Sequence, residues 1–254
     1  MKLKIDEALC IRCGLCARAC PRNLIAMGLT GAAFRANQQE GCFGCAHCVA
    51  ACPQGAVQIQ GEVWADPAWE GEIERQVKMR RSIRHYRAEM PNQALIEKVL
   101  DAAEWAPSAS NRRLHRWTVL LGRTETDWVA DQLMDWAETS GEEPRLAELK
   151  RAGTNLVTCG APCLLLCHGP EGDENCLVDA AIAAETVELL LAERGLASCW
   201  AGWLRRLYSK VPSLVERFAL PQGHRVLAAL MVGYPDGERY AGIPPRKKAE
   251  PRWI

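Results

Sequence analysis

The chain has no surplus of either charge: Lys+Arg and Asp+Glu both total 31 over 254 residues. It therefore lacks the basic field that would gather nucleic acid and the acidic tail of a solvating region. It also lacks any apolar run approaching the roughly 18–20 residues of a membrane span, and its start, MKLKIDEALC, has no hydrophobic centre of a secretory signal. These absences predict a soluble, cytoplasmic protein with neither nucleic acid nor membrane as a partner. No G-x-G-x-x-G follows a strand pattern and no Walker loop is present, which argues against a nicotinamide held on a Rossmann fold. Phenylalanine and tyrosine are scarce, at three and four, against nine tryptophans scattered without period. Most of those tryptophans read as core or interface anchors.

Cysteine is what the chain does have. Thirteen thiols in a chain read as cytoplasmic point to metal binding or to reduced, buried side chains rather than to disulfides. Eight of them fall in CIRCGLCARACP, residues 10–21, and GCFGCAHCVAACP, residues 41–53, each cysteine of the second set lying 32 positions after its counterpart. The repeated C-x2-C-x2-C-x3-C-P is the run in which three thiolates hold one 4Fe-4S cube and the fourth crosses to the other. A tight loop can present three sulfurs to one cube, whereas the fourth cysteine, past a short helical turn, points away. Cys10, Cys13, Cys16 and Cys52 would then hold one cluster, and Cys42, Cys45, Cys48 and Cys20 the other. Paired zinc knuckles are the competing reading, but zinc requires neither interlocked quartets nor a proline after each fourth cysteine. Residues 1–62 resemble two-cluster bacterial ferredoxins with all eight ligand positions filled. They carry six Lys+Arg against four Asp+Glu, which fits a module tethered to its acceptor better than a free carrier steered by an acidic face. Cys159, Cys163 and Cys167 share a spacing of four, yet Cys163–Cys167 is an apolar run of strand length. These cysteines read as small buried hydrophobes rather than as a third metal site.

After a linker at 63–72, helical periodicity appears. Residues 91–106, PNQALIEKVLDAAEWA, place Leu95, Val99 and Ala103 on one face between two prolines, predicting a helix. Residues 115–122 and 163–167 read as strands. DAAIAAETVELLLAERG reads as a long buried helix capped by Asp179 and stopped at Gly195, and RVLAALMVGY as a final strand. The expected class is α+β: a small two-cluster ferredoxin-like domain at 1–62, then an α/β sandwich domain at 73–254.

Four stretches of the second domain carry candidate site residues: RRSIRHYR at 80–87, APSASN at 106–111, GLASCWAG at 195–202, and a Gly-Tyr-Pro at 233–235 followed by IPPRKKAEPRW. Arginines with a serine at short range suit a phosphate. Taken in this order, over residues 73–254, the stretches resemble the FMN-dependent nitroreductases, and within them the ferredoxin-fused subgroup. The resemblance implies that Arg80, Arg81 and Ser82 bind the FMN phosphate and ribityl chain, with Arg84 near the N1 edge, where a cation favours the reduced, anionic flavin. It implies that Arg246 and Lys247 close on the phosphate and that the backbone of Trp200, Ala201 and Gly202 faces flavin N5 and O4. Pro107, Ser108 and Asn111 would reach the flavin of the other subunit of a homodimer. Where the family often has N-x-Q-P-W, this chain has Asn111, Arg112, Arg113, Leu114 and His115. His115 is accordingly either a proton donor to substrate or an ordinary structural histidine. Trp128 and Trp136, within 124–150, are candidates for a substrate lid.

The function so implied needs no catalytic side chain, since flavin N5 supplies the hydride. Electrons from an external donor such as ferredoxin would pass through two 4Fe-4S clusters to FMN, which reduces a small organic acceptor such as a nitro compound or a quinone. A redox carrier or sensor without its own substrate, and a reductive dehalogenase-type or flavin-consuming enzyme, are the alternatives.

Overall fold

The computed structural model describes residues 2–35, 39–42, 44–60, 68, 70–237 and 242–254. Of the expected linker, 63–67 and 69 lie outside the described residues. Two compact units are formed. Met1–Met79 joins Gly237–Ile254 in the first, and Arg80–Asp236 makes the second. The first unit thus takes in the helix at 72–79 and the C-terminal tail as well as the cysteine repeat.

The sequence duplication in the first unit becomes a duplication of geometry. Helix α1 (Leu15–Ala19) follows Gly14 at φ 75°, and α2 (His47–Ala51) follows Ala46 at φ 57°. Each short helix ends on the fourth cysteine of its run, Cys20 and Cys52, in extended conformation. Strand β1 (Lys2–Ile5) pairs antiparallel with β4 (Val57–Gln60), and β2 (Ile25–Met27) pairs with β3 (Ala32–Phe34). Leu3, Ile25, Ala32 and Val57 close a small core around the thiols of Cys16 and Cys48. So small a core buries little apolar surface, and bound metal commonly supplies the remaining stability in domains of this kind. Helix α3 (Glu72–Met79) buries none of its residues and carries a Glu72–Arg75 ion pair at 2.7 Å.

The second unit is built on a four-stranded antiparallel sheet in the order β5-β6-β8-β7, from β5 (Arg116–Leu121), β6 (Cys163–Pro170), β7 (Ala197–Trp200) and β8 (His224–Gly233). Helices cover both faces, and this explains why the central strands read as unbroken apolar runs. On one face Leu164, Leu166, Ala229 and Met231 pack with α5 (Arg123–Ser140), α6 (Pro144–Arg151), α8 (Gly202–Leu207) and α9 (Pro212–Phe218). On the other, Cys163, Leu165, Cys167 and Leu230 pack with α4 (Gln93–Ala103) and α7 (Glu174–Glu193). Each fully buried leucine contributes about 1.5–3 kcal/mol. The three cysteines of the apolar run do not converge as ligands: Cys163 and Cys167 are fully buried strand residues, and burial pushes the Cys163 thiol up to about 12.

Two boundaries differ from the expectation. Helix α7 begins at Glu174 rather than near Asp179, because Asp173 is the true cap: its Oδ1 accepts the Cys176 N–H at 2.8 Å. Asp179 lies within the helix and has another use, described below. Strand β6 runs on to Pro170, since His168–Pro170 stay paired with β8 past a register shift at Cys167/His168.

Candidate functional site

Cys16 and Cys48 each lie among the thiols of one of the two expected crossed quartets. Burial, and next the neighbouring thiols of Cys45, Cys20 and Cys42, push the Cys48 thiol up to about 12. Burial likewise raises Cys16, opposed by the Ala17 N–H and helped by Cys52, Cys10 and Cys13. In each case the distant fourth cysteine belongs to the other repeat. The backbone supplies donors to those crossing sulfurs: Leu24 N–H points at Cys20 Sγ at 3.3 Å, and Ala56 N–H at Cys52 Sγ at 3.2 Å. Such donors stabilise thiolate sulfur. Gly31, at φ 139°, passes so close to Cys10 that an added Cβ would stand 3.0 Å from its Sγ. Among the described residues no three side chains close on a point as ligands of a single ion do. Two four-thiol sets on hydrogen-bonding loops are chemically the donor set of polynuclear iron–sulfur clusters.

In the second unit, residues 82–83 meet β7 at Ser198 and residues 85–87 pair with the segment that follows β8. Ser82 bridges Ser198 in parallel, Ile83 N–H donates to Ser198 O at 3.1 Å, and Tyr86 bridges Pro235. Arg80 and Arg84 thereby flank the Ser82 contact with β7, all three half-buried, and Arg81 is buried. Arg84 Nη1 donates to Ser82 O at 3.2 Å, and its charge draws down the thiols of Cys199 and Cys159, which burial has raised. Tyr86 turns inward, its hydroxyl donating to Ile83 O at 2.6 Å; burial holds it well above the ordinary phenol range. Three guanidinium groups with a serine hydroxyl beside them fit a phosphate-bearing cofactor.

Trp200 ends β7 and leads through Ala201 into Gly202. Trp200 is 37% exposed, whereas Ala201 is buried and its N–H is committed to Ala229 O at 2.8 Å. Gly202 opens α8 and is exposed. Sequence reasoning missed the residue beneath them. Glu188 of α7 is 1% exposed, accepts from Ser198 Oγ at 2.9 Å and Trp200 Nε1 at 3.0 Å, and stands 3.4 Å from Arg80 Nη1. A carboxylate on the apolar stripe of a buried helix was the available signal, because such a group requires partners.

Pro107, Ser108 and Asn111 occupy a loop fastened to α7. Asp179, 5% exposed, accepts the Ala109 N–H at 3.0 Å, and Arg112 pairs with Asp173 at 2.7 Å. Ser110, Asn111 and Arg113 all have positive φ, at 52°, 55° and 47°. Ser108 Oγ accepts from Arg113 N–H at 3.2 Å, and Asn111 Oδ1 from Arg113 Nε at 3.1 Å. His115 is 4% exposed and edge-on to Trp117, with Glu104 Oε1 at 3.7 Å from Nε2. Burial lowers its pKa, with Glu104 and Asp179 opposing, so the ring is held toward its neutral form. Trp128 and Trp136 are half-buried against the core of the α5 face, and Lys210 Nζ stands 5.6 Å from the Trp136 ring centroid. Arg246 and Lys247 belong to the first unit, where Arg246 Nη1 donates to Cys45 O at 3.1 Å. Among the described residues no helix is long and apolar enough to cross a membrane.

Comparison with known proteins follows the same division. Residues 3–59 match the 4Fe-4S dicluster domain, and residues 77–234 match the Nitroreductase family. A protein of Archaeoglobus fulgidus, named as a candidate NADH dehydrogenase/NAD(P)H nitroreductase, is 30% identical over 162 residues, covering 63% of this chain and 83% of that one. A relative of the same name in Methanothermobacter thermautotrophicus is 26% identical over 159 residues, 63% of this chain and 75% of its own. Among solved structures, a nitroreductase of Desulfitobacterium hafniense with bound FMN superposes with a TM-score of 0.62 at 20% identity, covering 73% of this chain and 100% of that chain. Another from Bacteroides fragilis, also with FMN, gives 0.60 at 20% identity over 73% and 95%. At that identity the likeness is one of fold, and the fold agrees with the match spanning 77–234. A helix-covered antiparallel sheet with an arginine-bearing segment against β7, preceded by a doubled cysteine repeat, therefore has a family: the chain belongs to the nitroreductases.

Proposed function

We propose that this chain is an iron–sulfur flavoprotein oxidoreductase that takes single electrons into two 4Fe-4S clusters and delivers them to FMN for reduction of a small organic acceptor, such as a nitro compound or a quinone. What carries the reading is the union, in one chain, of a doubled cysteine repeat matching the 4Fe-4S dicluster domain with a segment that sets Ser82 against β7 between Arg80 and Arg84. The FMN bound in the family's solved structures supports it. When bound, FMN supplies hydride chemistry and converts one-electron input into two-electron output.

The chain's own residues bind and orient. Arg80, Arg81 and Ser82 serve the phosphate and ribityl chain, and Arg84 places a cation at the flavin edge. Trp200 and Gly202 frame the ring, and Pro107, Ser108 and Asn111 complete the site of the partner subunit in a homodimer. The setting is cytoplasmic, and the donor is an external low-potential carrier such as ferredoxin. The names of the archaeal relatives favour NAD(P)H as a second donor acting directly at the flavin.

Protein purified without oxygen should hold FMN and about eight irons per chain; zinc in their place would overturn the cluster assignment. The relay itself is tested by Cys45→Ala. This variant should keep FMN and reduce a nitroaromatic with a small chemical reductant or NAD(P)H, while turnover with reduced ferredoxin falls steeply. Equal losses with every donor, at unchanged FMN content and melting temperature, would sink the relay.

A further inference from the structure

We propose that Glu188 is the positioning residue of the flavin site, a buried carboxylate that assembles the arginine-bearing segment and the Trp200 turn before the cofactor arrives. The inference rests on the FMN reading above and adds to it a residue on an element that reading leaves out. In β7, alternate side chains face opposite layers: Ala197 and Cys199 join the core of the α5 face, and Ser198 and Trp200 point to the α7 side. Glu188 meets both of the latter. Its Oε1 takes the Ser198 hydroxyl at 2.9 Å and lies 3.4 Å from Arg80 Nη1; its Oε2 takes the Trp200 indole N–H at 3.0 Å. One anion thus fixes three groups from two stretches that lie far apart in sequence, stretches already tied together by the Ser82–Ser198 bridge.

The geometry separates positioning from sequestration. An N–H···O bond between charged groups is tight at about 2.7–2.9 Å. Arg80 instead stands 3.4 Å from Glu188 and 3.4 Å from Glu185, steered by both and clasped by neither. Arg80 is 24% exposed, Glu188 1% and Glu185 49%, so one counter-charge lies beneath the guanidinium and the other on its solvent side. A phosphate can then engage Nη2, the guanidinium nitrogen that neither ion pair uses, while the buried carboxylate keeps the group in place. The indole has less freedom: with its N–H on Glu188, the Trp200 ring plane is set by the protein and not by the ligand.

The test compares Glu188→Gln with Leu191→Ala, a fully buried neighbour on the same helix that packs in the α7 core. FMN is titrated into apoprotein, and melting temperature and the midpoint potential of bound FMN are measured alongside. Glutamine keeps the shape, loses the charge and can satisfy only part of the donor set. Glu188→Gln should weaken FMN about tenfold and move the potential of the bound flavin positive, because a negative charge near the reduced ring is gone. Leu191→Ala should lower the melting temperature and leave affinity and potential alone. Trp200→Phe, which keeps a ring without the N–H, should weaken binding, and its effect should not add to that of Glu188→Gln.

Unchanged affinity and potential in Glu188→Gln, with a fall in melting temperature like that of Leu191→Ala, would reduce Glu188 to a structural group and overturn the inference while leaving the FMN reading intact. Tighter binding in Glu188→Gln would also overturn it, showing that the carboxylate competes with phosphate for Arg80. Wild-type apoprotein that takes up no FMN would defeat the underlying reading instead.

Discussion

Removing the Asp179 carboxylate isolates the anchor of the loop that carries Pro107, Ser108 and Asn111. Asp179 is 5% exposed and accepts the Ala109 N–H at 3.0 Å, 70 residues away in sequence. A hydrogen bond to a charged group in such a setting contributes about 1.5–3 kcal/mol, and its loss leaves a part-buried N–H without an acceptor. Against this stands the strain of the loop: three of its residues, Ser110, Asn111 and Arg113, hold positive φ, each costing about 1–2 kcal/mol unless a local hydrogen bond offsets it. Once unpinned, the loop can relax, so the measured loss should fall in the lower part of the range, about 1.5–2 kcal/mol. The second tether supplies the control. Arg112 pairs with Asp173 at 2.7 Å with the arginine side chain 45% exposed, so solvent screens the pair and makes it the weaker tether. Asp179→Ala should therefore lower stability more than Arg112→Ala in denaturant unfolding. Amide exchange at Ala109 and Asn111 should rise sharply in the first variant and little in the second. If Arg112→Ala costs as much as Asp179→Ala, or if Ala109 exchanges at the wild-type rate without the carboxylate, the loop is held by something other than this bond.

Gly233→Ala should destabilise the second unit by about 1–3 kcal/mol through overpacking, because an added Cβ would meet Pro162 Cδ at 2.7 Å and Tyr86 Cδ1 at 2.9 Å; wild-type stability by thermal melting would refute that crowding. Cys163→Ser and Cys167→Ser should leave iron content at the wild-type value while lowering the melting temperature, and a fall in bound metal would revive a third site. Stability should also drop on acidification. His115 and His168 both have folded pKa values depressed mainly by burial, so below the unfolded value of about 6.5 the unfolded chain binds the extra protons. Their contribution is complete above that pH and is lost as pH falls through it toward the depressed values. His115→Phe should flatten the decline in melting temperature between about pH 7.5 and 5.5; an equally steep decline would place the titration elsewhere.

What could be read without coordinates was what depends on local spacing. The duplicated cysteine run was legible as a repeated loop and short helix, and α1 and α2 repeat that arrangement down to the left-handed residue ahead of each helix and the fourth cysteine at its end. The central strands were legible as apolar runs because helices cover both sheet faces, a pattern that depends on composition alone. Boundaries set by tertiary pairing were less visible. His168, Gly169 and Pro170 have no strand signature, yet they stay in β6 because β8 runs alongside them. The start of α7 was displaced for a related reason: two aspartates lie six residues apart, and only the backbone decides that Asp173 caps while Asp179 holds the loop at Ala109.

Glu188 marks where local reading stops and where physical reading could have continued. Its neighbours Ala184, Val187 and Leu191 define the buried stripe of α7, so a carboxylate between them requires donors from elsewhere in the chain. Ser198 and Trp200 satisfy it only because β7 returns beside the helix with its alternate side chains aimed inward. The partners of a buried charge are a property of the fold, but the need for partners is a property of the sequence. A charged residue on an apolar helical face is therefore a request that the rest of the chain must answer. In this protein the answer comes from the two stretches, 80–87 and 195–202, that the cofactor would use.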